Sequence, residues 1–162
     1  MAQQSMFDEG LRELGLTNIP VPMWGIDTVI AGPEFYEPDE GGTLAAIVPA
    51  FERSGLVDLV ACSFVSREMR TRKGIASVLG HEWIARAVDT MDALTVFDDA
   101  FTWLRGRCRG VVVIDWNDAP HLLREVPQLK CQSRRTADLL AEAFERPLPY
   151  PPILLPTEKD HA

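Results

Sequence analysis

Four aspartates, Asp98, Asp99, Asp115 and Asp118, have the residue type and spacing for metal-dependent chemistry. Asp98 and Asp99 follow the β-branched run Leu94 to Phe97, and Asp115 and Asp118 follow the run Val111 to Ile114. Hard divalent cations such as Mg2+ take carboxylate oxygens and usually keep several waters, so acids gathered from two strand ends would hold one. Arg134 and Arg135 follow a third run, Gln128 to Cys131, beside the helix-start residue Ser133. The backbone N–H groups of a helix amino end already favour anions, which makes these two arginines the candidates for a phosphate. The competing reading is structural. Aspartate is a preferred helix N-cap and suits the positive end of the helix dipole, which accounts for at least one acid at each break without any ligand.

Each of the three runs is followed by an amphipathic helix pattern, and each break carries capping chemistry: Asp98 and Asp99, then Asn117, Asp118 and Pro120, then Ser133. This alternation predicts a small parallel β-α-β-α-β-α segment. Its strand carboxyl ends and helix amino ends share one edge, the usual ligand edge of α/β proteins. Upstream, Thr43 to Phe51 and Leu56 to Phe64 are two β-rich runs joined by Glu52 to Gly55, which predicts an antiparallel hairpin. Pro49 removes a ladder donor and is expected at a sheet edge or beside a bulge. Ile26 to Ala31 reads as a strand and Gly32 to Gly42 as a loop. Ile75, Leu79, Trp83, Ala87 and Met91 fall on a helical stripe that Gly80 interrupts, the alternative reading being a break there after a short strand or turn. Met6, Phe7, Leu11 and Leu14 predict a short first helix, and Pro147 to Pro152 predict an extended polyproline stretch. The expected fold is one mixed α/β domain over residues 1–146 with a proline-rich tail over 147–162.

The stretch from Leu94 to Phe101, followed by Gly110 to Asp115, resembles the TOPRIM fold of primases and topoisomerases. That resemblance implies a magnesium site, with a Glu and a Gly after the first strand and an Asp-x-Asp pair after a later one. Here Asp98 stands at the Glu position, Asp99 at the Gly position, and Cys131, Gln132 and Ser133 where the acidic pair belongs. It implies a degenerate relative that keeps the shape without the full chemistry.

Exclusions narrow the function classes. The net charge of −8 lies in residues 1–60, which hold ten acids and two bases, while the remainder is neutral. Bulk charge of this sign argues against nonspecific nucleic-acid or anionic-membrane binding. No apolar stretch reaches the roughly 18 residues that cross a bilayer, and the expectation is a cytoplasmic protein. His81 and Glu82 open a zinc-peptidase pattern, but Ala85 stands where the second His must be. Cys62, Cys108 and Cys131 have no paired spacing and read as small hydrophobes, although Arg107 and Arg109 beside Cys108 are the kind of neighbours that favour a thiolate. Phe35 and Tyr36 in the acidic loop, and Trp116 at the strand edge, are candidate contacts for a protein partner. Two readings follow. One is a noncatalytic interaction or accessory protein without a cofactor. The other is a metal-dependent enzyme acting on phosphates, nucleotides or nucleic acid at the acidic edge with Mg2+.

Overall fold

The computed structural model describes residues 25–33 and 35–146; the short first helix predicted from the sequence and the proline-rich tail fall outside the described residues. Among the described residues the fold is mixed α/β with two sheets. The first is antiparallel, ordered β2-β1-β3-β4-β5, from β1 (Gly25–Ala31), β2 (Tyr36–Pro38), β3 (Thr43–Glu52), β4 (Gly55–Ser63) and β5 (Met69–Thr71). The second is ordered β6-β8-β7-β9, from β6 (Val78–Leu79), β7 (Ala93–Phe97), β8 (Val111–Val113) and β9 (Gln128–Cys131). The four helices among the described residues are α1 (Glu82–Thr90), α2 (Ala100–Arg105), α3 (Ala119–Leu123) and α4 (Arg134–Glu145).

The predicted hairpin is β3 and β4, closed where Glu52 faces Gly55. Pro49 lies beyond the last described pairing of β1 with β3, Gly25 with Ile47, and just before a register shift at Ala50 and Phe51. Its missing donor therefore falls where the ladder is already interrupted. The expected loop from Gly32 to Gly42 contains a strand, β2, because Tyr36 finds a buried place against Ala31. The first sheet also rolls until its outer strands meet. Phe35 bridges Thr71 in parallel sense, and Arg70 Nε donates to the Gly32 carbonyl at 3.3 Å. One face of the roll encloses Val29, Tyr36, Ala45, Ile47 and Ala61. The alternate residues Ala46, Val48, Ala50, Val60 and Cys62 point the other way, onto α2 and the second sheet.

In the second sheet β7 is central and runs parallel to both β8 and β9. The chain passes from β7 to β8 on one side and then across β7 to β9 on the other. Right-handed crossovers in opposite directions must lie on opposite faces. Accordingly α2 packs between the sheets through Phe101, Trp103 and Leu104, while α1, α3 and α4 cover the far face with Ile84, Leu123 and Leu140. The helical stripe expected from Ile75 begins only at Glu82. Val78 and Leu79 form instead an antiparallel edge strand on β8, and Gly80, at φ +78°, turns the chain into α1.

Candidate functional site

The shared edge predicted from the sequence exists, since β7, β8 and β9 all point their carboxyl ends the same way. The four aspartates on it do not converge. Asp98 lies in the crevice between β7 and β9, where crossovers diverge to opposite faces and α/β proteins usually admit a ligand. There Asp98, although exposed, is engaged by the chain itself. Asp98 Oδ1 accepts hydrogen bonds from the hydroxyls of Ser133 (2.7 Å) and Thr136, and the Asp98 N–H donates to Gln132 Oε1 at 3.1 Å. Asp99 is the N-cap of α2: its Oδ1 accepts from the Thr102 N–H at 2.8 Å, and the Thr102 hydroxyl oxygen accepts from the Asp99 N–H in return. Asp118 precedes α3 without bonding its amides and accepts instead from the Ser77 hydroxyl at 2.6 Å, tying the β6 lead-in to α3. Asp115 Oδ1 accepts from the Asn117 N–H at 2.8 Å and remains exposed. Among the described residues no three His, Cys, Asp or Glu side chains are gathered to hold a metal ion. The separation has a physical cause: β7 and β8 feed helices on opposite faces of the sheet, which draws their acids apart.

The phosphate position meets the same obstacle. The carboxylate of Asp98 already occupies the amino end of α4, and an incoming anion would face its charge. Arg134 pairs with Asp138 one turn along the helix at 2.8 Å in full solvent, and Arg135 is likewise exposed.

Of the three aromatic candidates, two turn inward. Tyr36 is 3% exposed inside the rolled sheet, with the Arg72 guanidinium 5.6 Å from its ring centre; burial raises its hydroxyl pKa. Trp116 is half-buried against the cluster under α3 and α4. A ring of that size at a strand end recovers more from packing than from standing in water. Phe35 alone keeps the expected exposure, at 44%. It stands between two depressions. One, about 490 Å³, is lined by Ile30, Pro33, Phe35 and Pro38. The other, about 420 Å³, runs between the two sheets and brings Phe35 beside Arg70, Asp115 and Asn117. The Phe35 ring rests on Gly74 so closely that a Cβ there would come within 2.4 Å of it.

The segment under that ring is organised by Asp58, which belongs to no motif in the sequence. It is 3% exposed. Its Oδ1 accepts from the N–H groups of Leu59 (2.8 Å), Arg72 (3.2 Å) and Lys73 (3.0 Å), and its Oδ2 from Ile75 (2.8 Å) and Ala76 (3.3 Å). Five backbone donors on one carboxylate replace its lost hydration. The only sequence signal is an acid inside the apolar strand run Leu56 to Phe64, at a position whose neighbours alternate into the core.

None of the three cysteine thiols is activated by its surroundings. Burial pushes the Cys62 and Cys108 thiols up to about 12, and it also raises Cys131. Arg107 and Arg109 flank Cys108 without lowering it, because its surroundings are apolar. Alkylation of the native protein with iodoacetamide at pH 8 is therefore expected to modify Cys131 first and to leave Cys62 and Cys108 intact until unfolding, as peptide mapping by mass spectrometry would show. Modification of Cys108 at the rate of Cys131 would contradict this. Both raised thiols favour the fold fully below their unfolded value near 9, and that contribution disappears as the pH climbs from 9 towards 12.

Comparison of the chain with family profiles, with curated proteins and with solved structures finds no match. The fold and site define a mixed α/β protein with no helix, among the described residues, long and apolar enough to cross a membrane.

Proposed function

We propose that this is a noncatalytic interaction protein that engages a protein partner through the surface around Phe35. The observation that carries the reading is the placement of that ring: exposed, backed by Gly74, and flanked on one side by apolar Ile30, Pro33 and Pro38 and on the other by Arg70, Asp115 and Asn117. An aromatic anchor beside polar groups is the usual core of a protein interface. The carboxylates that would serve catalysis at the β7 end, Asp98 and Asp99, are spent on hydroxyls and a helix amide. The TOPRIM-like resemblance fits the same reading, as a scaffold whose acidic edge has become structural.

Affinity capture followed by titration of the purified partner tests the proposal. Phe35→Ala is expected to weaken binding at least thirtyfold, the equivalent of about 2 kcal/mol for an aromatic anchor. Equal affinity of Phe35→Ala and the unaltered protein overturns the assignment. The second reading, a Mg2+-dependent enzyme acting on phosphates or nucleotides, draws its support from Asp115 and Arg70 facing one cleft. It requires saturable binding of Mg2+ or Mn2+ that Asp98→Asn or Asp115→Asn abolishes, and calorimetry showing no binding at millimolar metal removes it.

A further inference from the structure

We propose that the hollow at one end of the rolled first sheet binds a small amphipathic carboxylate, its apolar end among Val29, Ala45 and Ala61 and its carboxylate on Arg70. Narrow rolled sheets ordinarily fill their interior with large side chains. Here the inward positions towards the turn between β4 and β5 are small: Ala31, Thr43, Ala45, Ala61 and Ser63, beside Val29 and Tyr36. They leave a cavity of about 270 Å³. At about 30 Å³ per water-sized volume this accommodates a molecule of roughly eight or nine heavy atoms.

The polar end of the ligand follows from Arg70. It pairs across from Ala61 and so shares the inward face. Its Nε donates to the Gly32 carbonyl (3.3 Å) and its Nη1 to the Met69 carbonyl (2.8 Å), which fix the guanidinium against two neutral acceptors and leave Nη2 uncommitted. Arg70 lines both this hollow and the cleft beside Phe35, and among the described residues it takes part in no ion pair, so no carboxylate neutralises the charge it offers at the rim. A charged fork held in place by its own backbone suits a carboxylate, to which it offers charge-assisted hydrogen bonds. Glu68 stands on the same rim and opposes an anion, which limits affinity without neutralising Arg70. Val65, 84% exposed, forms an apolar lip at the opening, in a turn pinned where Ser63 Oγ accepts from the N–H groups of Val65 (3.2 Å) and Ser66 (3.1 Å).

The test uses the full chain, hexanoate as the probe and hexan-1-ol as its neutral match, read by methyl NMR. Hexanoate is expected to give saturable shifts at the Val29, Ala45 and Ala61 methyls. Arg70→Gln should weaken hexanoate at least tenfold while leaving hexanol unchanged, and Arg70→Lys should recover part of the difference. Ala61→Leu fills the hollow and should abolish both; Ala31→Leu, at the more open side, serves the same purpose if the first variant does not fold. Absence of shifts at these methyls overturns the proposal, as does an unchanged preference for hexanoate over hexanol in Arg70→Gln. The site does not involve Phe35, so Phe35→Ala should leave hexanoate binding intact.

Discussion

Asp58→Ala is expected to cost roughly 3 kcal/mol or more of unfolding free energy, because five backbone donors, one buried and four part-buried, lose their shared side-chain acceptor together. The donors belong to Leu59 and to the segment Arg72 to Ala76, which joins the two sheets. Asp58→Asn should cost less, about 2 kcal/mol: the amide keeps one acceptor, but its NH2 group then faces donors on the other side. Urea unfolding measures both. Hydrogen exchange adds a local readout, since the amides of Lys73, Ile75 and Ala76 should lose protection in Asp58→Ala before the strands do. The loss would reach the proposed docking surface, because Gly74 supports the Phe35 ring and Ala76 lines the cleft beside it. An Asp58→Ala protein within 1 kcal/mol of the unaltered one would show that the carboxylate is not what holds this segment.

Gly80→Ala is expected to be nearly as damaging, by about 3 kcal/mol, through steric strain at a special backbone position. Gly80 has φ +78°, and a Cβ there would lie 2.2 Å from the Gly110 carbonyl oxygen and 3.1 Å from Trp103 Nε1. That carbonyl also accepts the hydrogen bond of the buried Trp103 indole at 2.8 Å. Relief of the clash would have to move β8, where Val112 is fully buried, or release the indole N–H into an apolar core. Thermal unfolding should show a fall in Tm of ten degrees or more for a domain of this size, at about 4 °C per kcal/mol. Near-UV circular dichroism should report the loosened Trp103. Gly42→Ala is the informative comparison, since a Cβ there would meet the Val29 backbone at 2.4 Å yet sits in a turn of the first sheet without a positive φ. A Gly80→Ala protein with unchanged Tm would mean that the β6 edge yields easily.

The fate of the acidic edge shows how far local patterns reach. Asp99 and Ser133 behave as their sequence positions predict, because an N-cap bond spans only three residues and needs nothing from the rest of the chain. Asp98 does not. Its hydroxyl partners lie 35 and 38 positions later in the chain, and only the placement of β9 beside β7 brings them to it. Phe35 and Tyr36 diverge for a similar reason. Adjacent strand residues face opposite sides, and which side is interior was decided by the rolling of the first sheet.

The alternation of β-branched runs with capped amphipathic helices determined by itself the parallel β7-β8-β9 segment, and the spacing around Glu52 to Gly55 determined the β3–β4 hairpin. These are local periodicities and turn chemistries, legible over a dozen residues. Tertiary structure alone decided that Asp58 would gather amides 14 to 18 positions away, that the first sheet would close on itself through Phe35, Thr71 and Arg70, and that the four aspartates would remain apart. Those outcomes depend on which faces bury against each other. That is a property of the whole packed chain, in which burial and polar satisfaction are settled together, and no window of sequence contains it.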